Sequence, residues 1–301
     1  MNADGNVDGV KEADTHTTDS AENDAGAGFG DRLVAAGRAR GRLCVGIDPH
    51  ASLLEQWGLP DTADGLRTFA MTCVEAFAED AALVKPQVAF FERFGSRGFA
   101  VLEDALAALR EAGTLSVADA KRGDIGSTMA GYARAWLEPG SPLEADAVTV
   151  TPYLGVGSLD PAIELASTHG KGVFVMAANS NPEAEEFQSA PLGRGGARSV
   201  AQFMVDECAA CNAASAALGE VGNVGVVVGA TVANPPALTG LNAPVLMPGV
   251  GAQGATFADA DRVAALEPAL VFPSVSRSLL SAGPNAGDLR KRLRELREQR
   301  D

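Results

Sequence analysis

Basic residues are scarce in this sequence of 301 residues. Lysine and arginine together number 24, against 39 aspartates and glutamates, which gives a formal net charge of −15. A surface with this excess of negative charge repels polyanions. The composition therefore argues against a general nucleic-acid-binding protein and against a protein that binds anionic membranes.

Long apolar runs are also lacking. No stretch of the sequence approaches the roughly 20 apolar residues that a helix needs to span a bilayer. The N-terminus has neither the basic start nor the apolar run of a signal peptide. We therefore expect a soluble, cytoplasmic protein.

Cysteine and histidine are few, with four and three residues. Cys208 and Cys211 form a C-x-x-C pair, but this pair falls inside a run whose pattern predicts a helix. His16, His50 and His169 do not have the spacing of a zinc finger. We expect ordinary reduced thiols and no transition-metal site.

The first 27 residues form a separate acidic segment. They contain seven acidic residues against one lysine, and their only β-branched apolar residues are Val7 and Val10. Such a segment cannot bury enough apolar surface to offset the loss of chain entropy on folding. We predict that residues 1–27 are a disordered acidic tail and that residues 28–301 form the folded domain.

After the tail, short apolar runs typical of strands alternate with helical patterns. The runs are continuously apolar, as expected for parallel strands that are buried on both faces. The predicted strands are residues 42–48, 82–90, 115–121, 147–151, 172–178, 224–230, 245–249 and 270–274. The predicted helices are residues 29–40, 65–80, 91–112, 127–137, 159–168, 200–218, a short one near 236–241, 258–266 and 288–299.

Eight β/α units in about 270 residues fit a closed (β/α)8 TIM barrel, whose typical size is roughly 250 residues. An open doubly wound sheet has the same alternation and is the alternative. Its G-x-G-x-x-G fingerprint does not follow the first strand, where the sequence reads VGIDPH. We therefore predict an α/β TIM barrel, with the helix 29–40 covering its bottom.

Polar residues stand at the predicted C-terminal ends of most strands, where such barrels carry their chemistry. Asp119 and Lys121 end the third strand and share a face, because residues two apart in a strand point the same way. One such pair is compatible with a structural ion pair. Because polar residues end so many strands, a shared active site is favoured over an isolated structural ion pair. The other polar strand ends are Asp48, Lys85 with Gln87, residues 151–153, residues 179–181, residues 249–254 and residues 274–278.

Lys85, Asp119, Lys121 and Asp124 would form a cluster of two ammonium groups and two carboxylates. Alternating signs would keep each group ionised. A fixed carboxylate can press on an anionic leaving group, and an ammonium can stabilise a carbon where negative charge develops. This chemistry resembles decarboxylation without a cofactor, with Lys121 as the proton donor.

Two other chemistries are compatible with the same cluster. A Schiff-base aldolase would need one lysine with a lowered pKa, preferably without carboxylates beside it. A Mg²⁺ site at Asp119 and Asp124 would be opposed by the lysines so near to it.

The last two strand-to-helix loops have the composition of an anion site. Gly249, Gly251 and Gly254 let backbone N–H groups come close to a ligand. Gln253 adds side-chain donors, and Arg277 can bind a phosphate with two parallel hydrogen bonds. Barrels of this class often bind phosphate in these two loops, so we predict a phosphate site there.

The run D-A-K-R-G-D-I-G-S-T at residues 119–128 resembles the D-x-K-x-x-D-I-x-x-T signature of the orotidine 5′-phosphate decarboxylases. Its R-G-D-I-G form is similar to the longer bacterial branch of that family, and the resemblance extends over about residues 30–285. It implies a homodimeric, cofactor-free barrel with sites at the subunit interface. It also implies loss of CO₂ from C6 of orotidine 5′-phosphate to give UMP, the last step of de novo pyrimidine synthesis.

The resemblance also implies a role for each member of the charged tetrad, Lys85, Asp119, Lys121 and Asp124. Asp119 would face the substrate carboxylate, and Lys121 would protonate C6. Asp124 would reach into the pocket of the partner subunit.

The substrate contacts follow from the same resemblance. Asp48 and Thr128 would hold ribose hydroxyls, Thr128 from the partner subunit. Ser180 would contact the pyrimidine, in a segment that reads Asn-Ser-Asn-Pro where the longer branch commonly has Thr-Ser-Asn-Pro. Residues 183–199 have the composition of either a lid over the base or a plain insertion. The implied phosphate contacts are Gln253, Arg277 and the backbone of residues 249–254.

Two other functions stay open at this point. A Mg²⁺-dependent sugar-phosphate decarboxylase or epimerase of the related D-x-K-x-x-D group would have the same fold, and turnover that is insensitive to EDTA would exclude it. A catalytically silent barrel would bind a nucleotide without releasing CO₂. Crowded carboxylates speak against the silent barrel, because a protein that only binds a nucleotide gains nothing from them.

Overall fold

The computed structural model describes residues 27–193, 196, 198–251, 254–265 and 267–300. The predicted tail lies outside these residues except for Ala27, so its disorder stays a prediction. Within the described residues, eight parallel strands close into a barrel, which confirms the predicted TIM barrel and excludes the open sheet. None of the described helices is long and apolar enough to cross a membrane.

The strands and helices follow one another in the predicted alternation. The strands are β1 (Cys44–Ile47), β2 (Leu83–Pro86), β3 (Leu115–Arg122), β4 (Ala147–Val150), β5 (Gly172–Ala178), β6 (Pro191–Leu192), β7 (Arg198–Ser199), β8 (Val224–Val228), β9 (Val245–Met247) and β10 (Val271–Val275). The helices are α1 (Phe29–Arg40), α2 (Ala51–Gln56), α3 (Ala63–Phe77), α4 (Ala89–Glu92), α5 (Ser96–Glu111), α6 (Gly126–Leu137), α7 (Asp160–Thr168), α8 (Pro182–Gln188), α9 (Val200–Cys211), α10 (Ala213–Leu218), α11 (Phe257–Ala264), α12 (Arg277–Leu280) and α13 (Ala286–Arg300). Short 3₁₀ helices cover Val156–Leu159 and Pro268–Leu270.

The barrel closes in the order β1-β10-β9-β8-β5-β4-β3-β2, with every neighbouring pair parallel. β6 and β7 stand apart as a two-stranded antiparallel ribbon. β5 therefore pairs directly with β8, and the ribbon is an excursion within the connection between them.

The main differences from the structure concern four predicted elements. The helix predicted at residues 91–112 is divided into α4 and α5 at Gly95, whose φ angle of +63° does not continue a helix. The second strand ends at Pro86, because the chain turns into α4 after Gln87 forms an isolated bridge with Asp119. No helix forms near residues 236–241, where Pro235 and Pro236 supply no N–H donors. The long helix predicted at residues 200–218 is divided into α9 and α10 at Asn212.

The residue at the break, Asn212, has a buried side chain that bonds outside the helix. Its amide nitrogen donates to the carbonyl oxygens of Val224 and Leu241, each at 2.9 Å. Its amide oxygen accepts the N–H of Val224 at 3.1 Å. These bonds join the helix end to β8 and to the segment before β9, so the buried amide is fully used.

Helix α1 closes the amino-terminal end of the barrel, as predicted. Phe29 and Leu33 belong to the cluster of buried side chains that fills the barrel interior, together with residues from the barrel strands. The rings of Phe29 and Phe174 meet edge to face, with centroids 5.8 Å apart. A Cβ atom on Gly172 would lie 2.2 Å from the Phe29 ring, so only glycine lets the helix sit this close.

We expect Leu33→Ala to lower the free energy of unfolding by about 2–5 kcal/mol, because it removes a fully buried side chain and leaves a cavity under the barrel. Leu218→Ala is the matched control: Leu218 is also helical but 74% exposed, so the change should stay within about 0.5 kcal/mol. Urea unfolding measures both variants. Equal losses in the two variants would contradict this account of α1.

Candidate active site

A cavity of about 690 Å³ lies at the carboxyl ends of the barrel strands. Its size is in the range of small-molecule sites, and its wall combines apolar side chains with many polar ones. The polar and charged side chains in the wall are Asp48, His50, Lys85, Gln87, Asp119, Lys121, Thr149, Asn179, Ser180, Asn181, Ser274, Ser276 and Arg277.

Most of the predicted site residues meet in this cavity. Those in its wall are Asp48, Lys85, Asp119, Lys121, Ser180, Gly249 and Arg277. Asp124, Thr128 and Gly251 are described but lie outside the wall. Gln253 lies outside the described residues, so its role stays a prediction.

The centre of the site is the carboxylate of Asp119, which is 8% exposed. Its Oδ2 atom is 2.7 Å from Lys85 Nζ, and its Oδ1 atom is 2.5 Å from Lys121 Nζ. The hydroxyl of Thr149 also donates to Oδ1, at 2.9 Å. One buried carboxylate therefore accepts from two ammonium groups and one hydroxyl.

These contacts fix the charges of the cluster. Burial alone would raise the pKa of Asp119, but the ammonium groups of Lys85 and Lys121 outweigh it and hold the pKa of that carboxyl well below its usual range. Burial would lower the pKa of Lys85, but the carboxylates of Asp119 and Asp48 outweigh it and raise that pKa above its usual range. Asp119 and Lys85 are therefore both charged at neutral pH.

Lys121 has an unusual backbone conformation at the end of β3. Its φ angle is +48°, in the left-handed region that residues other than glycine rarely adopt. Gly123 lies two residues further on, and a Cβ atom there would lie 2.3 Å from the carbonyl oxygen of Thr151. The glycine of the D-x-K-x-G-D run is thus needed where the loop after β3 packs against the end of β4.

Asp124 and Thr128 do not line the cavity of their own chain. Asp124 accepts the N–H of Ile125 at 2.8 Å at the start of α6, and Thr128 is exposed on that helix. Three large apolar side chains are exposed in the loops after β3 and β4, although such side chains are usually buried. They are Ile125, Tyr153 and Leu154, which are 62%, 75% and 55% exposed.

The opposite wall of the cavity is suited to an anion. Gly249 has a φ angle of +109° and lies in the wall with Arg277, the first residue of α12. Arg277 is exposed and makes no ion pair with any residue that the structure describes, so its guanidinium can bind a ligand. Buried oxygens of Asp48 and Ser276 also lack a hydrogen-bond partner among the described atoms. Groups of this kind in a cavity wall are expected to contact a polar ligand.

The loop after β5 forms a third side of the cavity. Gln188 of α8 accepts the N–H of Asn179 at 2.7 Å, and Ser180 packs against Gly229 at the end of β8. Residues 183–199, predicted as a lid or an insertion, contain most of α8 and the β6–β7 ribbon. α8 is therefore anchored to the cavity wall through Gln188.

Comparison with known proteins gives one consistent result. The sequence profile of the orotidine 5′-phosphate decarboxylase / HUMPS family matches residues 41–291. A Corynebacterium efficiens protein named orotidine 5′-phosphate decarboxylase is 61% identical over 262 residues, which are 87% of this chain and 93% of that protein. A Salinispora tropica protein with the same name is 54% identical over 263 residues, which are 87% and 93% of the two chains.

Solved structures agree with these relatives. A Streptomyces avermitilis protein provisionally named orotidine 5′-phosphate decarboxylase superposes with a TM-score of 0.86 at 52% identity, over 91% of this chain and 95% of the other. The OMP decarboxylase of Leishmania donovani superposes with a TM-score of 0.70 at 31% identity, over 91% and 99% of the two chains. The chain therefore belongs to the orotidine 5′-phosphate decarboxylase / HUMPS family.

Proposed function

We propose that this protein decarboxylates orotidine 5′-phosphate at C6, releasing CO₂ and UMP in the last step of de novo pyrimidine synthesis. The observation that carries this proposal is the Lys85–Asp119–Lys121 cluster, which shares a cavity with Arg277. The cluster can act on a carboxylate and on the carbon that bears it. Arg277 lies in the same cavity and can bind the phosphate of the same substrate.

The wall of the cavity has a suitable partner for each part of the substrate. Arg277 and the backbone of Gly249 would hold the phosphate, and Gln253 would join them from outside the described residues. The carboxylate of Asp48 would accept hydrogen bonds from ribose hydroxyls. Ser180 would contact the pyrimidine, which leaves C6 and its carboxylate facing Asp119 and Lys121.

The chemistry follows from the fixed charge on Asp119. The two ammonium groups keep the Asp119 carboxylate ionised next to the substrate carboxylate. The two carboxylates repel each other, and this repulsion is relieved as CO₂ leaves. The C6–carboxylate bond breaks, its electron pair stays on C6, and the Lys121 ammonium stabilises that charge. Lys121 then transfers a proton to C6 and is reprotonated from solvent.

The Mg²⁺-dependent alternative fits the cluster less well. Both oxygens of Asp119 already accept hydrogen bonds, each from an ammonium group. A divalent cation at this carboxylate would have to displace one ammonium and would be repelled by both. The geometry therefore favours direct electrostatic catalysis over metal-assisted chemistry.

The direct test is the change in absorbance when orotidine 5′-phosphate is added to purified protein in EDTA. We expect turnover in EDTA by the parent and by Lys291→Ala, a control that removes an exposed lysine of α13. Lys121→Ala should lower kcat by at least about 10²–10⁴-fold, because it removes the proton donor. It should still fold and bind UMP.

Three outcomes would contradict the proposal. UMP binding by the parent without release of CO₂ would indicate the silent barrel. Activity that EDTA abolishes and Mg²⁺ restores would indicate the metal-dependent alternative. Full activity of Lys121→Ala would remove the proposed proton donor.

The fixed charge of Asp119 can be tested by pH. A carboxyl whose pKa is lowered on folding stabilises the folded state above its unfolded pKa of about 3.9, and this stabilisation is lost as the pH falls through the folded value. We therefore expect Asp119 to stay ionised in the folded protein at about pH 4, where an ordinary aspartate is close to half protonated.

Infrared difference spectra between the parent and Asp119→Asn report the ionisation of this carboxyl directly. The same difference spectrum, recorded for urea-unfolded parent and variant, shows how the Asp119 carboxyl titrates in the unfolded chain. A protonated carboxyl signal of equal size in the folded and unfolded samples at about pH 4 would show that the lysines do not hold the charge.

We further propose that the active unit is a homodimer in which Asp124 and Thr128 complete the site of the partner subunit. Three observations support this arrangement. Both residues lie outside the cavity wall of their own chain, and both follow the strand that carries Asp119 and Lys121, Asp124 in the loop after β3 and Thr128 in the first turn of α6. Ile125 beside Asp124, and Tyr153 and Leu154 in the loop after the neighbouring strand β4, are exposed apolar side chains. Exposed apolar groups of this kind favour contact with another protein surface.

Mixing two inactive variants tests the dimer. In a hybrid of Lys121→Ala and Asp124→Asn chains, one site carries both defects and the other carries neither. Random exchange at equal concentrations makes half of the dimers hybrids, so we expect recovery of about a quarter of the parent activity. No recovery after subunit exchange has been demonstrated would argue that each site is built from one chain.

A further inference from the structure

The pairing of β3 with β4 is interrupted at the active site. Val117 pairs with Ala147 and Ala118 with Val148, and the pairing resumes at Arg122 with Val150. The register thus advances four residues along β3, from 118 to 122, while it advances two along β4, from 148 to 150. The residues in between, which include Asp119 and Lys121, have no regular partners on β4.

A threonine side chain replaces the missing backbone partner. The N–H of Lys121 donates to Thr149 Oγ1 at 2.9 Å, and the same hydroxyl donates to Asp119 Oδ1 at 2.9 Å. Thr149 is 1% exposed, so water does not compete for these bonds. One hydroxyl therefore connects the backbone of the proposed proton donor to the carboxylate that its ammonium contacts.

A second threonine of the same segment holds the other side of Lys121. The hydroxyl of Thr151 donates to the carbonyl oxygen of Lys121 at 3.2 Å, and the N–H of Thr151 donates to the carbonyl oxygen of Arg122 at 2.8 Å. Thr151 is half-buried, so solvent can replace part of its contribution. The buried hydroxyl of Thr149 is therefore expected to restrain Lys121 more than the hydroxyl of Thr151 does.

The conformation of Lys121 requires such support. A left-handed φ angle of +48° at a residue with a Cβ atom is strained and persists only where the surroundings enforce it. A buried hydrogen bond stabilises the folded state, and a bond to a charged group does so more strongly. The two bonds of the Thr149 hydroxyl can therefore hold Lys121 in this conformation.

We propose that Thr149 is a positioning residue, whose buried hydroxyl fixes the backbone of Lys121 and the carboxylate of Asp119 relative to each other. It touches neither the breaking bond nor the transferred proton. Its effect is to keep the Lys121 ammonium directed at one point in the cavity. This inference rests on the proposed decarboxylation, because it assigns the alignment of its proton donor.

Isosteric and conservative variants test the proposal. Thr149→Val keeps the size of the side chain and removes both hydrogen bonds, and Thr149→Ser keeps the hydroxyl. Thr114→Val is the matched control, because Thr114 is likewise buried, at 2% exposed, and its hydroxyl donates to the carbonyl oxygen of Ala78, away from the cavity wall.

We expect Thr149→Val to lower kcat by about 10- to 100-fold, which is the loss expected when a catalytic group is displaced by about 1 Å. The affinity for UMP should stay within about two-fold of the parent. Thr149→Ser should keep kcat within about three-fold, and Thr114→Val should lower stability without lowering kcat. Exchange of the Lys121 amide hydrogen should be at least about ten-fold faster in the valine variant and unchanged in the serine variant.

A folded Thr149→Val with a kcat within about two-fold of the parent would overturn the proposal. Equal losses in Thr149→Ser would also overturn it, and this variant decides the question if the valine variant does not fold. Activity of the parent is measured first, so a parent without turnover refutes the decarboxylase function instead. Exchange of the Lys121 amide still reports in that case whether Thr149 holds Lys121.

Discussion

The site depends on one carboxylate that stays charged in the wall of the barrel. Asp119 can remain ionised at 8% exposure only because two ammonium groups and a hydroxyl surround its oxygens. If either lysine moved away, the charge would be poorly compensated in a region of low dielectric. The closed barrel supplies the required rigidity, since Lys85, Asp119 and Thr149 come from three consecutive strands that pair side by side.

The well-packed residues and the proposed catalytic residues lie at opposite ends of the barrel. At the amino-terminal end, Phe29 and Leu33 fill the interior and Asn212 ties a helix to the strands. At the carboxyl end, Lys121 is strained, and buried oxygens of Asp48 and Ser276 have no hydrogen-bond partner among the residues that the structure describes. The well-packed end can offset these local costs, as is common where a protein stores strain at a functional site.

The sequence predicted the closed barrel and the residues that meet in its cavity, because both follow from local patterns. Continuous apolar runs indicate buried parallel strands, and polar residues at their ends must converge when the barrel closes. Thr149 was missed because it reads as an ordinary strand threonine. Its alternation with Ala147 places it on an inward face, but nothing local shows that β3 breaks register beside it. The helix expected near residues 236–241 was wrong: Leu238 and Leu241 are buried as a helical face would be, but Pro235 and Pro236 supply no N–H donors to the segment.

The connection between β5 and β8 has a wider consequence. β5 pairs with β8 directly, so α8 and the β6–β7 ribbon add nothing to the hydrogen bonding that closes the cylinder. Yet Gln188 in this excursion contacts Asn179, at the rim where the base would lie. A change at Gln188 would therefore alter the rim of the cavity at Asn179 and leave the strand pairing of the barrel unchanged. The shape of the rim and the closure of the cylinder are in this respect separable.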